Sequence, residues 1–233
     1  MISRTQKASL VLAAAWLVGR AYGQSDPIPF EDIGASVPGF VIEGDRNDDF
    51  AGRSISGAGD VNGDGFDDLI VGAPGADPGR PADYDEGASY VVFGKATREV
   101  VNLGDLEANE AGFVIEGIAT YDNSGTSVSG AGDVNGDRLA DLIVGAPGAD
   151  PLGRGDAGEA YVVFGKTDFD PVELEFPPEP GAWFRIRGAA AGDNLGFSVS
   201  GAGDINGDGL DDLIVGAPGA DSDGESNSGA AYI

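Results

Sequence analysis

Nine residues between two apolar runs carry most of the chemistry open to this chain. Asp60-Val61-Asn62-Gly63-Asp64-Gly65-Phe66-Asp67-Asp68 places side-chain oxygens at positions 1, 3, 5 and 9 of a short loop. Gly65 at position 6 permits a sharp turn, alternate residues can point inward, and the Phe66 carbonyl at position 7 can join them. The donors are all oxygen. They suit calcium, a hard cation that takes about 6–8 oxygens in flexible geometry. Magnesium fits less well, because it prefers tighter geometry and keeps its waters. The loop recurs twice. Asp133, Asn135, Asp137, the Leu139 carbonyl and Asp141 make the second set, and Asp204, Asn206, Asp208, the Leu210 carbonyl and Asp212 the third. About three calcium ions per chain are therefore expected. Arg138 stands where the other copies have Gly65 and Gly209, which should strain the second loop. An EF-hand is excluded, because its position-12 Glu is replaced by Val71, Val144 and Val215.

The rest of the composition narrows the chemistry further. The chain has 233 residues with no Cys and no His. Disulfides, Cys/His zinc sites, Cys nucleophiles and Ser-His-Asp triads are all ruled out. Forty Asp and Glu against 13 Lys and Arg give a formal net charge of −27. Such a chain repels nucleic acid and anionic headgroups and attracts cations. Gly165-Lys166-Thr167 imitates the end of a P-loop, but the required earlier Gly is Ala160 and no helix follows. A glycosidase-like carboxylate pair is available by inventory alone. Calcium ligands and a solvated acidic surface account for the acids more simply, and no enzyme is expected.

The loops must be held by short strands that repeat with them. Ser56–Pro78 returns at Ser129–Pro151 and Ser200–Ser222, each later copy matching the first at 20 of 23 positions. The spacing is 73 and then 71 residues. Gly39–Gly44 recurs at Gly112–Gly117 and more loosely at Ala182–Gly188, and Tyr90–Lys95 recurs at Tyr161–Lys166. The first unit holds four strand-length runs, Gly52–Gly59, Asp68–Gly72, Gly87–Phe93 and Phe113–Glu116, without helical period. Four strands per unit predict an all-β chain of four-stranded antiparallel propeller blades. Small residues in the first run suit the crowded innermost strand. The units divide the chain at 39–111, 112–182 and 183–233, the last incomplete. Three blades do not close a ring, so further blades are expected beyond the C-terminus. Phe40–Glu43 reads as the outer strand of a blade not present here.

The first 23 residues read as a secretory signal, with Arg4 and Lys7 ahead of an apolar run from Ala8 to Val18. Ala21-Tyr22-Gly23 sets cleavage before Gln24, and 24–38 forms a linker. No later stretch is long and apolar enough to span a bilayer. The mature chain is expected to be secreted, or held at the cell surface by something else.

The Asp-x-Asn-x-Asp-x-x-x-Asp loops, with Gly72-Ala73-Pro74, Gly145-Ala146-Pro147 and Gly216-Ala217-Pro218, resemble the FG-GAP repeats of integrin α-subunit propellers and their bacterial relatives. The likeness runs from about Gly39 onward. The Phe-Gly pair itself is degraded to Ala51-Gly52, Ser124-Gly125 and Leu195-Gly196. The resemblance implies a seven-bladed propeller with structural calcium and a role in adhesion or ligand recognition. Antiparallel blades put the calcium loops on one face. The opposite face carries the segments that vary between copies: Asp77–Glu86, Asp150–Asp156, Asp221–Ser228, Gly44–Asp49, Gly117–Asp122 and Gly188–Asp193. An extracellular protein or glycan would bind there, since loops on a rigid scaffold carry function. The alternatives are an accessory propeller of a secreted phospholipase-like hydrolase and a carbohydrate-binding propeller. Arg154-Gly155-Asp156, the tripeptide that integrins recognise in ligands, lies in one of these loops.

Overall fold

The computed structural model describes residues 9–10, 32–34, 39–78, 84–97, 99–175, 181–221 and 225–233. The expected signal and linker lie outside the described residues, apart from 9–10 and 32–34. Fifteen strands are described: β1 (Ser9–Leu10), β2 (Ile42–Glu43), β3 (Ser54–Gly59), β4 (Asp68–Ala73), β5 (Ala88–Val92), β6 (Val101–Asn102), β7 (Gly112–Glu116), β8 (Ser127–Gly132), β9 (Asp141–Ala146), β10 (Glu159–Val163), β11 (Val172–Glu173), β12 (Trp183–Arg187), β13 (Ser198–Gly203), β14 (Asp212–Ala217) and β15 (Ala230–Tyr232).

These form propeller blades. The first runs β3-β4-β5-β7, the second β8-β9-β10-β12, and the third β13-β14-β15. Within each blade, successive strands pair antiparallel. The three sheets do not close a ring. Sheet and sequence repeat are offset by one strand. Gly112–Glu116 opens the second repeat but completes the first sheet, and Ile42–Glu43 opens the first repeat but lies in a separate sheet with β1 and β6. The outer edges are stitched in the same way twice. After β5 the chain runs to β6, parallel to β2, and after β10 it runs to β11, parallel to β7 of the preceding blade. The first and second blades therefore each lend a short strand to the preceding sheet before forming their own outermost strand.

The apolar runs of β4, β5, β9 and β10 are continuous because the inner strands of the first two sheets are buried on both faces, whereas β13–β15 of the third sheet are buried on one. In β4, Ile70 packs toward the second blade with Val91, Phe113, Leu142, Val144 and Tyr161. Its neighbour Val71 packs the other way, against Phe40, Ile42, Val101 and Leu103. Between the second and third blades, Ile143, Ala160 and Val162 meet Leu195, Val199 and Val215.

The Ser/Gly-rich first strands lie side by side, as their small residues predict. Ser54 Oγ accepts the Val128 amide at 3.0 Å, and Ser127 Oγ accepts the Val199 amide at 3.0 Å. The invariant glycine of Gly-Ala-Pro sits where two blades touch backbone to backbone. A Cβ at Gly72 would lie 2.1 Å from the Gly125 carbonyl oxygen, and one at Gly145 would lie 1.9 Å from that of Gly196. No side chain fits such a gap. Position and partner repeat together, so the degraded Phe-Gly pair keeps its glycine for this contact. Its first residue varies: Ser124 and Leu195 are both buried.

Candidate functional site

Each nine-residue loop joins the first two strands of a blade, leaving a β-bulge at Gly57/Gly59, Gly130/Gly132 or Gly201/Gly203. Position 1 organises the loop. Asp60 Oδ1 accepts the amides of Gly63 at 2.8 Å and Asp64 at 3.0 Å, and its Oδ2 accepts that of Gly65 at 2.9 Å. Asp133 takes the amides of Gly136, Asp137 and Arg138 in the same pattern, and Asp204 those of Gly207, Asp208 and Gly209. Positions 3 and 5 each turn back on the amide two residues ahead. Asn62 Oδ1 accepts from Asp64 and Asp64 Oδ1 from Phe66, with Asn135/Asp137 and Asn206/Asp208 doing the same. Such turns are local and strong for Asx residues. They wrap the backbone of all three loops around the position-1 carboxylate.

Position 9 is the buried anchor. Asp68 and Asp141 have no solvent exposure. Asp68 accepts from Val61 at 2.8 Å and from Gly94 at 2.7 Å, and Asp141 from Val134 at 2.8 Å and Gly165 at 2.9 Å. Burial pushes both carboxyls up to about 6 despite these amides, and the charges at positions 5 and 1 push the same way. The third loop differs. Asp212 is only half-buried and takes Asn206 Nδ2 at 3.1 Å where the others take the Gly94 or Gly165 amide.

Neighbouring loops touch. The Asp60 carbonyl accepts the Ala140 amide at 3.0 Å, and the Asp133 carbonyl accepts the Asp211 amide at 3.1 Å. Asp211 also takes the Asp133 amide on its carboxylate at 2.8 Å. That role belongs to position 8, outside the expected ligand set, and only the contact between blades reveals it. Arg138 occupies its position with φ 78°, where Gly65 and Gly209 have φ 89° and 92°. The second loop thus keeps the shape of the others in a left-handed conformation costly for Arg.

The donor set fits calcium in kind: three carboxylates, one amide oxygen and a carbonyl on one wrapped loop, with like charges close enough to raise the position-9 acid. Among the described residues, no three acidic side chains are gathered at one point to hold a metal. Their oxygens are spread over the loop amides instead, and Asn62 Nδ2 and Asn135 Nδ2 reach Asp64 Oδ2 and Asp137 Oδ2 at 3.0 and 2.8 Å. Mutual repulsion favours that spreading.

The opposite ends of the blades are held by a second set of repeated acids. Asp49, Asp122 and Asp193 each stand five residues after a repeat glycine (Gly44, Gly117, Gly188), are buried, and accept amides from their own loops. Burial raises Asp122 to about 6. Asp77, Asp150 and Asp221 tie down the loops that follow β4, β9 and β14. Their fixed spacing was visible in the sequence, but their role as loop closures was not.

A model of the FG-GAP repeat matches residues 51–92, 124–163 and 195–233, more than half of the chain. The chain belongs to the FG-GAP repeat family. Each match begins at the degraded Phe-Gly pair and runs through the loop and the Gly-Ala-Pro strand. Over 190 residues this FG-GAP chain is 30% identical to integrin alpha ina-1 of Caenorhabditis elegans, covering 77% of this chain and 16% of that protein. It is 31% identical over 189 residues to integrin alpha-PS2 of Drosophila melanogaster, covering 78% of this chain and 12% of that one. A phosphatidylinositol-glycan-specific phospholipase D of Bos taurus is 32% identical over 186 residues, 74% of this chain and 20% of the enzyme. The FG-GAP chain thus spans a fifth or less of the length of each of these relatives.

Proposed function

We propose that this FG-GAP chain is an extracellular propeller module for adhesion or ligand recognition, in which calcium is structural. The observation that carries the metal assignment is the threefold recurrence of one loop geometry. A position-1 carboxylate gathers three amides, positions 3 and 5 turn inward behind it, and a position-9 carboxylate, buried in the first two copies, closes the loop. A plain turn needs no buried acid at position 9. Asp60, Asn62, Asp64, the Phe66 carbonyl and Asp68 would hold the first ion, and the matching residues the second and third. A bound cation supplies charge neutralisation and a crosslink between loop residues. The chain's own part is to gather the acids and keep the loop wrapped. The integrin relatives support recognition rather than catalysis, and among the described residues no helix is long and apolar enough to cross a membrane. The phospholipase D likeness favours a second reading, a propeller that accompanies a secreted hydrolase.

Calorimetric titration with calcium, beside thermal unfolding with and without it, tests the first reading. Three ions per chain and a clear rise in Tm are expected. A folded chain that binds none at millimolar calcium would reduce the loops to turns.

A further inference from the structure

One cavity departs from the charge of the chain as a whole. It has a volume of about 490 Å³ and lies among loops of all three blades, on the face away from the nine-residue loops. Among the described residues no Asp or Glu lines it, and Arg53 is the one charged group of the wall. In a chain with 40 acids and 13 bases, that local reversal is unexpected. Among the described residues the Arg53 guanidinium has no hydrogen-bond or ion-pair partner, so its fork of donors is open to solvent and to the cavity.

The cavity walls come from equivalent places in the three repeats. Pro74 and Pro147 are the repeated prolines. Phe50, Asn123 and Asn194 hold one position, and Arg53, Thr126 and Phe197 another. The strands around them repeat almost without change, whereas these lining positions differ. The first of them is left-handed in all three blades, with φ 54°, 55° and 53°. Asn tolerates that conformation. A bulky Phe there is a backbone outlier, and such strain concentrates at ligand sites. Asn123 and Asn194 spend their side-chain amides on nearby carbonyls. Phe50, by contrast, is 62% exposed, and Phe197 is 55% exposed.

We infer that this cavity binds a carboxylated sugar ring, of the uronic acid class, at the end of a glycan. Arg53 supplies the planar fork that pairs a carboxylate through two parallel hydrogen bonds. The faces of Phe50 and Phe197 supply flat apolar surface for the C–H side of a ring, and the volume fits one or two rings. With no acid among the described residues of the wall, an anion meets less repulsion there than elsewhere on this chain. This inference rests on the ligand-recognition reading above and names the ligand's chemistry.

The test uses the full chain in excess calcium with three probes, a glucuronic acid disaccharide, its neutral glucose counterpart and an acidic peptide, and repeats the uronate with Arg53→Gln. Calorimetry or ligand-observed NMR should show uronate binding at least about tenfold tighter than the neutral sugar. Arg53→Gln should abolish that preference, and Phe197→Ala should weaken both sugars together. Equal binding of the two disaccharides, binding of the acidic peptide alone, or no sugar binding would each overturn the inference. The calcium titration of the same sample reads the loops separately. Failure of the sugar arm with three ions bound therefore leaves the propeller reading standing.

Discussion

The two faces of these blades solve one problem, fixing loops on a rigid scaffold, with opposite electrostatics. On the face of the nine-residue loops, acids are crowded and partly exposed, and a cavity of about 830 Å³ beside the first loop is lined by Asp64, Glu99, Asp105 and Glu110. On the other face one set of loop-closing acids is sunk, while Asp150 and Asp221 of the second set stay exposed. Asp49, Asp122 and Asp193 are buried beneath their loops, and among the described residues the cavity there shows only Arg53 as a charge. Acids grouped on one loop invite a cation, even where one of them is buried as Asp68 and Asp141 are. Acids set singly against amides hold a loop without one, and leave the outer surface free to vary.

The largest break in this comparison comes from the backbone joint that the two faces share. Gly145→Ala forces a methyl against the Gly196 carbonyl and should cost more than about 3 kcal/mol, with or without calcium. Chemical denaturation should show the loss. Next come the buried acids. Asp141→Ala strands the amides of Val134 and Gly165 and should cost about 2–4 kcal/mol. It should also remove one calcium from the titration. Asp122→Ala should cost about 1–3 kcal/mol and leave all three ions in place. A calcium count lowered by the second substitution would break the division between faces.

The pH dependence sharpens it. Asp68, Asp141 and Asp122 all sit at about 6 in the folded chain, above the ordinary carboxylate value, chiefly through burial. The folded state therefore holds more protons than the unfolded state between about pH 4 and 6. Stability should be greatest below that window and fall as pH rises through it, by about 1–3 kcal/mol per group. Saturating calcium should flatten the part due to Asp68 and Asp141, because a cation beside them favours the ionised form, and should leave the part due to Asp122. Thermal melts at pH 5 and pH 7, with calcium and with chelator, separate the two.

The smallest effects test local strain. Arg138→Gly on one face and Phe50→Asn on the other each install a residue that the repeat uses at that left-handed position. Each should stabilise by about 0.5–1 kcal/mol. Phe50→Asn should also weaken sugar binding, whereas Arg138→Gly should not.

Much of this was legible in the sequence because the units repeat. Four apolar runs with turn residues between them, copied at 73 and 71 residues, leave few architectures besides propeller blades, and the copied Asp/Asn spacing marks the loops. Gly-Ala-Pro and the glycine of the degraded pair were visible as motifs, but their shared contact was not. It joins Gly72 to Gly125, 53 positions apart and in different blades.

The sequence by itself determined the blade, the nine-residue loop and its oxygen-only chemistry, since each depends on residues a few positions apart whose spacing fixes their geometry. Only the tertiary structure decided that Asp211 braces the second loop, that the first two blades each lend the preceding sheet a short edge strand, and that Arg53 is the one charge that the described residues bring to its cavity wall. Those features arise where separate repeats meet, and spacing along the chain carries no information about which residues face each other across that gap.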